Sequence, residues 1–197
     1  MDFLDERNPA LYIWYMVYGL RYTIDPNLTA MQNFRRLPEG IRAEVIEGKL
    51  FVSPTPSTDH QELVQELFLK LYHYIKRNKL GFVTAIPTDI FMKRANAVVP
   101  DIFFFSSCSK RIRRERRGYF GAPDLIIEVL SPFSKKYDRT VKKGAYRVAG
   151  VKEYWIIDPV TRQAEGYRLN KRKRIFMDPI TLNSRIHIAL FNRTFRF

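Results

Sequence analysis

The chain has 197 residues, 46% of them apolar and 14% aromatic, and its 34 Lys and Arg outweigh 20 Asp and Glu for a formal net charge of +14. That composition excludes a disordered, collagen-like or low-complexity chain and supplies enough core for one catalytic-size domain. The single cysteine, Cys108, excludes an internal disulfide framework, and no set of Cys and His has zinc-ligand spacing, so a reducing compartment is expected.

Residues 1–27 read as an amino-terminal helical extension. Asn8 caps and Pro9 begins a helix predicted through LYIWYMVYGL, and Asp25-Pro26-Asn27 ends it. The uncharged run 9–20 is shorter than the roughly 20 residues a membrane helix needs. Asp2, Asp5 and Glu6 stand where a signal peptide is basic. A cytoplasmic protein with no membrane partner is expected.

From Leu28 to the end a single mixed domain is predicted. It opens with a helix over 29–37 and two strands, 43–46 and 49–53, turning at Glu47-Gly48. Ser57 or Thr58 caps a long helix whose Leu63, Leu67, Leu71 and Ile75 recur at helical spacing until Gly81. Strands at 82–86, 89–92, 98–105 and 125–130 are read as one central sheet, with a basic loop before the last of them. A helix over 134–148, a strand at 153–157 and a hairpin of 164–169 with 174–177 follow. The class is α/β or α+β, with a mixed central β-sheet flanked by helices.

Two carboxylates break this pattern. Asp101 in VVPDIFFF and Glu128 in LIIEVL each interrupt a run of β-branched, aliphatic and aromatic residues. An unpaired carboxylate in a core strand costs several kcal/mol or becomes neutral, so such a residue normally has a cation or metal beside it. Two together point to a divalent metal.

The positive charge is clustered. KRIRRERR carries Lys110, Arg111, Arg113, Arg114, Arg116 and Arg117; NKRKR carries Lys171, Arg172 and Lys173; further positives follow at Lys135, Lys136, Arg139, Lys142 and Lys143. A polyanion is the implied partner and nucleic acid the simplest one, although either cluster alone reads equally well as solubilising surface. No GxSxG elbow accompanies His60, His73 and His187, and no phosphate-binding glycine loop is present. Acyl transfer and nucleotide-driven chemistry therefore have no support, and a metal is the one cofactor indicated.

The order EVIEGKLFVSP, PSTDHQ, VVPDIFFFS, GAPDLIIEVLSPFS, YDRTVKK and GAYRVAGVKEYWIIDP resembles the Uma-two family of restriction endonucleases, in the PD-(D/E)XK nuclease superfamily, over about residues 28–190. The resemblance implies a restriction-endonuclease-like domain at 28–197 that hydrolyses phosphodiester bonds in DNA with Mg²⁺ or Mn²⁺. It makes Asp101 and Glu128 the metal ligands. The superfamily motif would place a lysine two residues after Glu128, where this chain has Leu130. The family pattern moves that charge to Lys142, with Lys143 beside it, and the resemblance implies that Lys142 activates the attacking water. Glu44 and His60 match family positions that would support the metal, a water or the phosphate. Asp124 is weaker, a supporting acid or a strand-start cap. Leu130 keeps open a catalytically silent nucleic-acid-binding module, and the basic composition equally permits an RNA-directed nuclease. Cutting both strands by two-fold symmetry makes a homodimer one expectation.

Overall fold

The computed structural model describes residues 15–17, 20–22, 24–38, 40–94, 96–109, 112–132, 134–170, 172 and 174–197. In chain order the elements are β1 (Tyr15–Val17), β2 (Leu20–Tyr22), α1 (Ala30–Arg36), β3 (Ala43–Ile46), β4 (Lys49–Val52), α2 (Thr58–Arg77), β5 (Gly81–Thr84), β6 (Ile90–Met92), β7 (Asn96–Val98) and β8 (Ile102–Ser106). There follow β9 (Arg113–Glu115), β10 (Gly118–Phe120), β11 (Leu125–Val129), α3 (Lys135–Tyr137), a π-turn (Asp138–Lys142), α4 (Lys143–Ala149), β12 (Glu153–Ile157), β13 (Gln163–Asn170), β14 (Ile175–Phe176), β15 (Ile180–Asn183), β16 (Arg185–Ile188) and β17 (Arg193–Arg196).

Strands that are apolar at nearly every position must be covered on both faces, and that requirement builds the layers. β14-β13-β12-β11-β8-β5, with β15 also on β13, form a seven-stranded sheet. Its β11 runs parallel to β12, from Leu125↔Glu153 to Val129↔Ile157, and antiparallel to β8. One face, with Ile102, Phe104, Leu125, Ile127 and Trp155, is covered by Leu63, Leu67, Leu71 and Ile75 of α2 and by Ile186 and Phe195 of the β16–β17 hairpin. Burying each such leucine contributes about 1.5–3 kcal/mol. The other face, with Phe103, Phe105, Ile126, Leu130 and Ile156, meets α4 through Ala145 and Tyr146 and a second sheet through Ile46, Ile90 and Val98. That second sheet has six strands in the order β4-β3-β7-β6-β10-β9.

The fold is thus mixed α+β, with two corrections to the expected layout. The strands read as one central sheet are divided: β6 and β7 belong to the six-stranded sheet, β5, β8 and β11 to the seven-stranded one. The predicted strand 98–105 is broken between Val98 and Ile102, where Pro100 brings no N–H to a ladder and the chain changes sheets. The amino-terminal helix is also overturned within the described residues, because Tyr15–Val17 and Leu20–Tyr22 pair as antiparallel strands. Segments this short, with Arg21 the one charge in them, show no period that separates helix from strand, and their tyrosines and valine favour strand. The remaining residues of that predicted helix lie outside the described residues.

Smaller differences have local causes. The basic loop contains the β9–β10 hairpin, Gly118↔Glu115 to Phe120↔Arg113. Ser57 caps α2 by accepting from the His60 N–H at 3.3 Å, but the helix stops at Arg77, and Gly81 instead opens β5. At φ 150° Gly81 lets Phe105 and Ser107 backbone approach where a side chain could not fit. Among the described residues no helix is long and apolar enough to cross a membrane.

Candidate active site

Alternation along β11 decides where Glu128 points. Ile127 and Val129 pack towards α2, so Glu128 faces the opposite side with Ile126 and Leu130, towards α4 and the second sheet. There its Oε1 accepts a hydrogen bond from Tyr146 Oη at 2.6 Å and from Lys142 Nζ at 3.1 Å. Asp101 stands at the entrance to β8, beside β11. Its backbone N–H donates to Glu128 Oε2 at 3.4 Å, its Oδ2 accepts from the Val129 N–H at 2.9 Å, and its Oδ1 pairs with Arg42 Nη2 at 2.7 Å.

Three further elements close the site. His60, in the first turn of α2, places Nε2 3.1 Å from Asp101 Oδ2. Glu44 of β3 accepts from the Val99 N–H at 2.9 Å and reaches Lys142 Nζ at 3.2 Å. The π-turn supplies both Asp138 and Lys142, whose Oδ1 and Nζ are 3.4 Å apart. Lys142 is therefore surrounded by Glu44, Glu128 and Asp138. It is only 5% exposed and Glu128 only 2%, so these charges interact with little water to screen them.

The charges do not balance. Four buried carboxylates, Glu44, Asp101, Glu128 and Asp138, face two permanent cations, Arg42 and Lys142. With all four ionised, their formal charge exceeds that of the two cations by two. Burial and the charges of Asp101, Asp138 and Glu44 outweigh Lys142 and push the Glu128 carboxyl well above its ordinary range. Burial would also raise Asp101, but the hydrogen bond and charge of His60, then Arg42 and Lys142, hold it well below the usual carboxylate range. Burial alone would favour neutral Lys142. Glu128, Glu44, Asp138 and Asp101 overcome it and hold the ammonium protonated well above the ordinary lysine range.

Carboxylate oxygens are the donors that a hard divalent cation takes, and Asp101 and Glu128 are the residues that would hold one. The formal excess equals the charge of one Mg²⁺ or Mn²⁺ and the acids are carboxylates; Asp138 Oδ1 has its ion pair with Lys142 but no hydrogen bond, and His60 Nδ1 and Tyr137 Oη are buried without a hydrogen-bond partner. Among the described residues no three carboxylate, His or Cys side chains converge as a complete ligand set. A metal held by Asp101 and Glu128 would complete its shell with water and substrate oxygens.

The Uma2 family model, described as "putative restriction endonuclease", matches residues 31–189. The chain belongs to the Uma2 family. It is also similar to a crystal structure from Anabaena variabilis described as a "putative nuclease belonging to DUF820", with a TM-score of 0.69 and 24% identity over 84% of this chain and 91% of that one. That likeness shows the fold, a restriction-endonuclease-like α+β core. A search of curated proteins gave no match.

Within this Uma2 fold Asp101, Glu128, Lys142, Glu44 and His60 share one cluster. Lys143, next to Lys142, faces away, with Nζ 4.8 Å from the centroid of the Tyr167 ring. Asp124 is structural: it accepts from the Ser106 N–H at 2.7 Å and pairs with Lys152 at 2.5 Å. Leu130 lies in the core at 1% exposure. Of the basic residues, Arg113, Arg114, Arg116, Arg117 and Arg172 are exposed, whereas Lys110, Arg111, Lys171 and Lys173 lie outside the described residues.

Sequence reasoning missed Arg42, Asp138 and Tyr146. Each carried a faint signal. Arg42 precedes Glu44 by two residues, the strand period, and Asp138 and Tyr146 sit four residues before and after Lys142, the spacing of neighbours on a helix face.

Proposed function

We propose that the protein is a metal-dependent endonuclease that hydrolyses phosphodiester bonds in DNA. The observation that carries this reading is the convergence of Asp101, Glu128 and Lys142, from three separate elements, in one buried cluster with excess negative charge, in a member of a restriction-endonuclease family. Asp101 and Glu128 would hold Mg²⁺ or Mn²⁺. When bound, the ion supplies Lewis-acid polarisation of the phosphodiester and a more acidic water at neutral pH.

The chain's own groups divide the remaining work. Lys142 keeps its proton, so it acts as a fixed ammonium that donates to a phosphate oxygen and offsets the negative charge developing there. Glu44 and Asp138 hold that ammonium in place. Arg42 fixes the Asp101 carboxylate from one side, and His60, donating from Nε2, fixes it from the other. Its other ring nitrogen, Nδ1, is buried without a hydrogen-bond partner, in position to meet a water. Exposed arginines outside the site hold the DNA backbone.

The test is cleavage of supercoiled plasmid, single-stranded DNA and RNA by purified protein in Mg²⁺, Mn²⁺ or EDTA, alongside Asp101→Ala, Glu128→Ala and Lys142→Ala. Metal-dependent cutting of DNA that is lost in all three folded variants is the expected result. Nucleic-acid binding without cutting under any metal would make the chain a silent module of the same fold. Preferential cutting of RNA would replace the substrate.

A further inference from the structure

Tyr137 stands the wrong way round for a tyrosine. It is the last residue of α3, immediately before the π-turn, and it is partly exposed, yet its Oη is buried without a hydrogen-bond partner among the described residues. A tyrosine near the surface ordinarily buries its ring and leaves the hydroxyl to water or to a protein acceptor. Two fully buried tyrosines of the same region do find acceptors. Tyr146 Oη donates to Glu128 at 2.6 Å and Tyr154 Oη to the Asp138 carbonyl at 3.2 Å.

Sheet register explains how Tyr137 reaches the carboxylate cluster. Glu44 of β3 pairs with Phe51 of β4, so their side chains share one face of the six-stranded sheet. Tyr137 packs on Phe51 with ring centroids 4.4 Å apart, and Lys142 Nζ lies 5.8 Å from the Tyr137 centroid. β4 is the edge strand of that sheet, which leaves part of the ring open while the hydroxyl turns inward. Burial first, then the charge of Glu44, push this hydroxyl well above the ordinary tyrosine range, against the opposing charge of Lys142. It therefore keeps its proton at neutral pH and is a donor without an acceptor.

We propose that Tyr137 contacts substrate, donating from Oη to a non-bridging oxygen of the phosphodiester held beside Lys142. This rests on the proposed nuclease reading. Lys142 has three carboxylates within 3.4 Å for its three N–H groups, so an anion arriving beside it gains from a second donor. A water on a divalent cation turns its lone pair to the metal and becomes the better donor, so it does not answer a hydroxyl that itself donates. A phosphate oxygen does. No proton leaves the tyrosine: the hydrogen bond strengthens as negative charge builds on that oxygen, from a donor already fixed in place by Phe51.

The experiment compares the wild type with Tyr137→Phe, which keeps the ring on Phe51 and removes only the hydroxyl, and with Tyr146→Phe. In EDTA the Tm of Tyr137→Phe should equal or exceed that of the wild type, because a buried unbonded hydroxyl is lost, whereas Tyr146→Phe should lower it. In Mg²⁺, calorimetry should show inorganic phosphate binding about tenfold more weakly to Tyr137→Phe, with Mg²⁺ affinity retained. Cleavage of supercoiled plasmid should slow by on the order of a hundredfold. A Tm lowered as far as in Tyr146→Phe, lost Mg²⁺ affinity, unchanged phosphate affinity, or a wild type that binds no phosphate would each overturn the contact. A wild type that binds phosphate through the Tyr137 hydroxyl but cuts no nucleic acid would refute the nuclease reading and keep the contact. Cutting by Tyr137→Phe at the wild-type rate would refute the contact and keep the nuclease reading.

Discussion

Lys142 Nζ lies 3.1 Å from Glu128 Oε1, delivered by the π-turn that precedes α4, although the strand position two residues after Glu128 is filled by buried Leu130. π-turns recur at functional sites. Here one brings Asp138 and Lys142 to the same buried place. The consequences of that ion pair can be measured.

Removing the ammonium leaves Glu44, Glu128 and Asp138 facing one another out of water. Lys142→Ala is expected to cost about 3–5 kcal/mol in urea unfolding, and Glu128→Gln added to it should recover part, with a coupling of about 1–3 kcal/mol between the two positions. Additive losses in this double-mutant cycle would show that the pair does not interact.

Metal binding should depend on pH through Glu128. Its folded pKa is raised, so without metal the folded state binds a proton that the unfolded state releases, and stability falls as pH rises from about 4.3 through the folded value. A bound divalent ion requires the ionised carboxylate and displaces that proton. The increase in Tm on adding Mn²⁺ should therefore grow with pH, and calorimetry in buffers of different ionisation enthalpy should detect proton release. A Tm increase independent of pH would remove Glu128 from the ligand set.

Asp101 has the opposite sign. Its folded pKa is lowered, so its contribution to stability is full above the unfolded value of about 3.9 and is lost as pH falls towards the folded value. Asp101→Asn should flatten the acid limb of the stability profile between about pH 4 and pH 2, as followed by circular dichroism. An unchanged acid limb would show that other carboxylates control acid unfolding.

Gly166 tests the fold apart from the site. It faces Trp155 across β12 and β13, and an added Cβ would stand 2.5 Å from the indole ring. The indole N–H donates to Glu153, which also accepts from the Ala189 and Leu190 N–H groups. Gly166→Ala should cost about 1–3 kcal/mol and alter tryptophan fluorescence while metal affinity is retained, because Trp155 and Glu128 face opposite sides of the seven-stranded sheet. Lost metal affinity in a folded variant would contradict that separation.

Several features were legible locally because they rest on neighbours in the chain. The 3.6-residue spacing of Leu63, Leu67, Leu71 and Ile75 places α2, and the turn at Glu47-Gly48 places β3 and β4 within a residue of their ends. Asp101 and Glu128 stood out because a charge inside an apolar run is visible without coordinates. The amino-terminal strands were not legible, since Tyr15–Val17 lies in a run without a charge and Leu20–Tyr22, with Arg21 alone, is too short to show a period.

The sequence by itself determined that two carboxylates would lie in core strands, because burial of a strand follows from its own composition. Only the tertiary structure decided what surrounds them. Arg42 reaches Asp101 across 59 residues, Glu44 reaches the Val99 N–H across 55, and the split of β6 and β7 from β8 brings Glu44 over Glu128. Such partners are chosen by which sheet each strand joins. That choice depends on the packing of whole layers, and no local pattern of residues encodes it.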